Sequence, residues 1–304
     1  MRTVQQGHVA ALFTIVIWGT TFIATKLLLH TFQPVEILFL RFMIGYLALW
    51  IAFPRKLSTK KGQEKYFILA GICGVTLYFL LENIALTYTL ASNVGVIVAV
   101  SPFFTALCTR ITSKEHKLNR NFFIGFLLAM TGVYLISTNG KSVFEIHPIG
   151  DLLALLAALV WAMYSTLTKK ISEFHYDVIP MTRRIFFYGL LCMVPALFLF
   201  DFHPQMSDFM QVEAWMNLLF LGLGASALCF VTWNTALKIL GSVRCSVYIY
   251  LVPVITVVTS MLVLQEEVTM YTWIGIGLTL MGLVLSQIKK GNQDGKCQVC
   301  YDHR

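Results

Sequence analysis

The feature that most constrains this chain is a succession of apolar runs, each close to the length that crosses a bilayer. A helix rises about 1.5 Å per residue, so about 20 apolar residues span the hydrocarbon core. Ten runs approach that length, at residues 8–29, 35–53, 66–88, 94–112, 121–138, 150–169, 179–200, 214–237, 244–264 and 271–288. The run at 35–53 is short and contains Arg41, and the run at 179–200 contains Arg183 and Arg184 near its start. Hydrophobic residues make up 57% of the 304 and charged residues only 12%, where a soluble domain carries about 25% charge. Such a chain has too few polar side chains to cover a water-facing surface. The expectation is an all-α integral membrane protein, because helices close their backbone hydrogen bonds internally in lipid. The first run is followed by more of the same and reads as a signal anchor and first span.

The net charge of +8 could suggest a nucleic-acid partner, but the basic residues lie between the apolar runs. With the N-terminus placed in the cytoplasm, eighteen of the 23 Lys and Arg fall in inside segments. Arg55, Lys56, Lys60, Lys61 and Lys65 cluster after the second run, and Arg110, Lys114, Lys117 and Arg120 after the fourth. Only Lys141 falls outside, and Lys26, Arg41, Arg183 and Arg184 lie in or at the ends of spans. That is the positive-inside bias of a multi-pass protein. It points to the bilayer as partner, argues against nucleic acid, and puts both termini in the cytoplasm. A cell (inner) membrane location is expected from the small loops.

Five of the seven cysteines lie inside apolar runs, where they behave as small hydrophobes. Cys297 and Cys300 form one pair in the tail at 289–304, and a zinc site needs about four ligands. No GxxxxGK[ST] loop and no HExxH motif occurs. An ATP-driven motor, a metalloenzyme and a bound cofactor are therefore not expected. No histidine falls deep in a span, which argues against a buried histidine proton relay.

The two halves of the chain match. A shift of 143 residues brings Gly7 onto Gly150, Trp18 onto Trp161, Lys26 onto Lys169 and Arg41 onto Arg184. A shift of 151 aligns Asn83, Ala85 and Leu86 with Asn234, Ala236 and Leu237, Pro102 with Pro253, and Glu115 with Glu266. A shift of 150 pairs Gly125 with Gly275 and Gly132 with Gly282. The reading is two five-helix repeats at 7–140 and 150–288. Five is odd, so the second copy enters the membrane from the opposite side. Inverted repeats of this kind place a solute site near the midplane at their interface and alternate its access by rocking.

The residues Trp18-Gly19, Lys26, Arg41, Ala85-Leu86, Pro102, Glu115, Gly125 and Gly132, repeated in the second copy, carry a resemblance to a known family. The chain resembles the drug/metabolite transporter superfamily in its EamA-type branch, over roughly residues 7–288. The resemblance implies ten helices around a central cavity and export or exchange of small metabolites such as amino acids. One departure is Ala162 where the first copy has Gly19, which puts close helix approach there in doubt.

Glu82 is the most informative side chain, because a carboxylate inside the bilayer costs several kcal/mol unless paired, hydrated or protonated. Proton coupling or binding of a substrate amine is weighed against a structural hydrogen bond to Asn83, Tyr78 or a basic residue nearby. Trp233 occupies the equivalent place in the second copy, so the repeat symmetry breaks there. Tyr78 lies four residues before Glu82, on the same helix face. Trp18, Thr21 and Thr25 line one stripe of span one; Trp161, Ser165 and Thr168 line its counterpart in span six. With Asn83 and Asn234 these are candidates to bind a small molecule or couple protons, against a plain packing role. Of Tyr248 and Tyr250, at most one is expected to face a cavity. Pro102 and Pro253 sit mid-span and are expected to kink their helices. Lys26, Lys169, Arg41 and Arg184 are candidates for gating. The alternative for the lysines is snorkelling, and for the arginines pairing with helix-end carbonyls or a carboxylate in a shared scaffold role. Glu115 and Glu266 are expected to cap a helix or orient a loop. A secondary transporter is the leading reading, and a facilitative channel or a structural membrane protein the alternative. One chain holds a complete pathway, so a monomer suffices, and a dimer is compatible.

Overall fold

The computed structural model describes residues 3–29, 31–88, 91–112, 120–138, 147–200, 202–203, 209, 211–263 and 269–287. Glu115, Glu266, Lys141, the tail with Cys297 and Cys300, and the side chain of Lys26 lie outside the described residues.

Every described element is helical. The first repeat contains α1 (Val4–Leu28), α2 (Pro34–Ala52), α3 (64–88), α4 (91–112) and α5 (Arg120–Thr138). The second contains α6 (Pro148–Ser172), α7 (Val178–Leu199), α8 (Val212–Leu240), α9 (242–263) and α10 (Met270–Gln287). Nine of these stretches, counted among the described residues, are long and apolar enough to cross a membrane. The remaining one, α1, has 25 residues and makes the tenth. Large apolar side chains such as Phe198, Ile51 and Ile111 stand outward, at 83%, 75% and 74% exposure, as a lipid-facing surface requires.

Local chemistry sets the ends. Thr3 and Gln6 form a capping box on α1, and Gln33 and Glu36 form one on α2, with Pro34 at its first position. Asp151 accepts the His147 N–H at 3.0 Å at the start of α6, again behind a proline. Pro54 follows the last residues of α2 and prevents its continuation. Gly241 alone joins α8 to α9, with φ at +84°, a conformation that other residues adopt at a cost.

Two pairs of helices depart from regularity at equivalent places. In α3 the residues Ile72–Leu77 form a π-helical turn, and in α8 Phe220–Leu228 do the same. Span four is interrupted between Ala91–Val98 and Ser101–Thr112. Span nine runs as Ser242–Ser246, a 3₁₀ turn at Val247–Tyr250, and Leu251–Val263. Pro102 and Pro253 stand just past these irregularities, in spans whose helical path runs on at 94–112 and 242–259. Each stands in the first turn of a new helical segment, where its missing N–H leaves no bond unmade.

The repeats are intertwined. α1 packs on α8 and α9, and its counterpart α6 packs on α3 and α4. α2 packs on α8 while α7 packs on α3, and α5 packs along α10. The α5–α10 seam shows the symmetry directly. A Cβ built on Gly125 would fall 2.6 Å from Gly282 O, and one on Gly282 2.5 Å from Gly125 O. Gly132 and Gly275 stand in the same relation, at 2.5 and 2.7 Å. Residue numbers rise on one helix as they fall on the other, so the helices are antiparallel. Equivalent glycines exchange partners across the seam, as a two-fold axis lying across the helices demands. The repeats are thus inverted. Close backbone approach of this kind is how helices associate where lipid removes the hydrophobic drive between them. At Gly19 a Cβ would meet Ile255 Cγ2 at 2.5 Å, while its counterpart Ala162 is fully buried. The second repeat keeps close packing there and accommodates the methyl group.

Replacing Gly132 with Val should push α5 from α10 and lower stability by about 1–3 kcal/mol. Gly277 on α10 has nothing within 4 Å of a built Cβ, so Gly277→Ala should leave the melting temperature in detergent unchanged. Equal melting of the Gly132→Val variant and the parent would contradict the seam.

Candidate functional site

The middle of the bundle is aromatic. Trp18 and Trp161, equivalent under the repeat, meet edge to face at 5.5 Å between ring centroids. Equivalent residues touch only where the symmetry axis passes, so this contact marks the repeat interface. Trp18 also packs on Trp233 at 5.2 Å and on Phe230 at 5.8 Å. Trp161 packs on Tyr78 at 4.8 Å and on Tyr164 at 5.0 Å. Offset and edge contacts of this kind add stability beyond the area buried.

Beside the rings lies a charged group. Tyr78 donates its hydroxyl to Glu82 Oε1 at 3.1 Å, so it joins the carboxylate to the aromatic centre. Arg41 is only 8% exposed, and its Nε donates to Ser226 Oγ at 2.9 Å. Its guanidinium stands 5.2 Å from the Phe79 ring centroid and 5.5 Å from that of Phe42, in cation–π range. Arg41 and Glu82 attract each other through space. Arg41 lies seven residues into α2 and Glu82 six residues from the end of α3, so both sit about 10 Å below the same edge of the bundle. Glu82, Tyr78 and Asn83 are enclosed by helices yet keep accessible surface.

The π-helical turn of α8 supplies acceptors to both neighbours. Ser226 receives Arg41, and Ala225 O accepts the Trp18 indole N–H at 3.0 Å. Such turns free backbone groups and recur at functional sites. Three other donors in the centre have no acceptor among the described residues: Trp161 Nε1, Trp233 Nε1 and Ser165 Oγ, all at 5% exposure or less. Buried polar groups are normally paired, so these are positions where a polar ligand group would be favoured.

The other sequence-selected residues are placed as follows. Thr21 turns its hydroxyl back to Trp18 O at 2.7 Å. Asn234 is fully buried, accepts from Tyr164 at 2.8 Å and donates to Thr182 at 3.0 Å. Lys169 donates to Lys238 O at 3.3 Å. Tyr248 bonds His8 at 2.6 Å, and Tyr250 is packed with Phe122 and Ala129. The two repeat-related arginines differ. Arg184 pairs with the Glu64 carboxylate at 2.6 Å. Among the described residues Arg41 takes neither a carboxylate in direct contact nor a helix end, and the carbonyls of Phe53, at the end of α2, and Arg55, just beyond it, go to Arg183. A common role at the two equivalent positions, expected from the repeat, is not what the geometry shows. Ser226, Tyr164, Phe230, Glu64 and Arg183 were missed from the sequence. Tyr164 was within reach, standing three residues from Trp161 on the same face.

Comparison with known proteins places this geometry. The model of the EamA-like transporter family matches twice, at residues 5–138 and 148–287. An uncharacterized transporter of Archaeoglobus fulgidus is 28% identical over 94% of this chain and 99% of that protein. A protein of Escherichia coli K12 named "Probable amino-acid metabolite efflux pump" is 25% identical over 93% of this chain and 95% of its own. A solved crystal structure superposes with a TM-score of 0.75 at 19% identity, covering 93% of this chain and 96% of that one, which speaks for the fold alone. Two family matches that together span nearly the whole sequence, on a bundle of two inverted repeats, lead to one conclusion: the chain belongs to the EamA-like transporter family.

Proposed function

We propose that this protein is a secondary transporter that moves a small organic metabolite, an amino acid or similar solute, by alternating access. The observation that carries this reading is the Arg41–Glu82–Tyr78 group set against the tryptophans where the two repeats meet. A zwitterion offers charges to Glu82 and Arg41. An apolar or aromatic side group suits the rings, and a carbonyl or carboxylate oxygen suits the indole N–H groups of Trp161 and Trp233. The relative named as an amino-acid metabolite efflux pump supports this solute class and the outward direction. Glu82 is the coupling group in this reading, because it is the carboxylate at the centre and its neighbour Tyr78 can hand on a hydrogen bond. The loop charges support an inner-membrane location with both termini cytoplasmic. One chain suffices for the pathway.

Uptake of labelled amino acids and small metabolites into proteoliposomes, with and without an imposed pH gradient, tests the proposal. Saturable, competed uptake that responds to the gradient is expected. Glu82→Gln should cut the gradient-driven component at least tenfold, and full pH-dependent uptake in that variant would sink the coupling role. Trp161→Phe keeps the ring but loses the N–H, and should raise KM about fivefold to tenfold, the worth of one hydrogen bond. An unchanged KM would remove Trp161 from the solute's contacts.

A further inference from the structure

One end of the bundle is tied shut by polar bonds that join the two repeats. Glu64, at the start of α3, accepts from Arg184 Nε at 2.7 Å and Nη2 at 2.6 Å. The same oxygen accepts the Tyr188 hydroxyl, while Thr59 Oγ1 donates to the other carboxylate oxygen at 2.5 Å. The Arg184 guanidinium also lies 5.7 Å over the Tyr188 ring. Around this group Arg183 clasps the carbonyls of Phe53 and Arg55, and Tyr176 donates to Gln63 at 2.6 Å. Apart from the Thr59–Glu64 bond and the Arg184–Tyr188 stacking, each of these contacts has one partner within residues 53–64 of the first repeat and the other within 176–188 of the second.

The opposite end cannot make the same tie. Under the repeat shifts Arg184 corresponds to Arg41, Glu64 to Trp215 and Tyr188 to Gly45. Trp215 donates to Phe209 O at 2.6 Å, inside its own repeat. Among the described residues Glu36 makes a polar link there, accepting the His203 N–H at 3.0 Å. An apolar cluster of Leu28, Phe32, Ile37, Leu218 and Leu221 fills the remainder. Among the described residues, the inverted repeats thus share a backbone plan but carry this ionic clasp at one end.

We propose that Glu64, Arg184 and Tyr188 form the latch of a gate that holds this end closed and must part in each transport cycle. The proposal rests on the alternating-access reading, and the proposed orientation makes this the cytoplasmic end. The two side chains of the ion pair are 33% and 29% exposed, so water can replace its bonds as it opens. A latch of this kind can close firmly and still release.

Alkylation of Cys73 tests it without any substrate, and so separately from the uptake experiment. Cys73 lies nine residues deeper on α3 than Glu64 and is 4% exposed. The purified protein is treated with N-ethylmaleimide, and labelling is mapped cysteine by cysteine by mass spectrometry. Glu64→Gln and Arg184→Gln should each raise the rate at Cys73 severalfold. Tyr188→Phe, which spares the ion pair, should raise it less. The charge-swapped chain carrying Glu64→Arg and Arg184→Glu should return the rate toward the parent's. Parent-like labelling in both single variants would overturn the latch. So would labelling that stays raised in the charge-swapped chain.

Discussion

A guanidinium held at hydrocarbon depth must be satisfied by protein, and the centre of this molecule is arranged around that requirement. Arg41 stays charged in any environment a protein provides, so the bundle has to supply partners. It does so from three helices. Ser226 on α8 takes a hydrogen bond, Phe42 and Phe79 offer their faces, and Glu82 on α3 contributes the opposing charge. Because α2 and α3 belong to one repeat and α8 to the other, satisfying Arg41 also ties the repeats together. The π-helical turn that presents Ser226 also presents Ala225 O to Trp18. One local departure from α-helix thus fixes both the charged group and the tryptophan at the axis.

Function in this fold rests on where the symmetry holds and where it fails. It holds in the scaffold. The glycine seam of α5 and α10, the π-helical turns of α3 and α8, and the interrupted spans four and nine recur in both repeats. It fails at the side chains that the proposed function assigns to the solute and to the gate. Glu82 stands opposite Trp233, Tyr78 opposite Cys229, and Arg41 opposite an Arg184 that is engaged elsewhere. A perfectly symmetric centre would present equal faces to both sides of a solute. Under the proposed function, this asymmetry suits a site for an asymmetric molecule on a backbone that rocks between related states.

Much of the fold was legible in the sequence because its signals are local or periodic. The ten spans follow from apolar length, and the repeat from ordered matches such as Trp18 with Trp161. The Tyr78–Glu82 bond follows from four-residue spacing. What escaped is decided by tertiary contact. Nothing in Phe220–Leu228 marks it as π-helical. A proline inside an apolar run does not tell which local turn accompanies it, so the 3₁₀ turn before Pro253 was not legible. Ser226 is one small polar residue in an apolar run until Arg41 is placed against it. Arg183 and Arg184 are adjacent, and only the structure shows that they serve different partners. Glu64, the first residue of α3, carries no sequence signal that pairs it with Arg184, 120 positions away.

The central claim is that Arg41 and Glu82, though not in direct contact, stabilise each other through space beside the repeat interface. A double-mutant cycle on thermal or denaturant stability in detergent tests it most directly, using Arg41→Gln, Glu82→Gln and the pair together. Removing one member should leave the other charge uncompensated and cost several kcal/mol. The double variant should then be more stable than the two single losses added together, by about 1–3 kcal/mol. Losses that add within about 0.5 kcal/mol would show two independent groups, and would contradict the account.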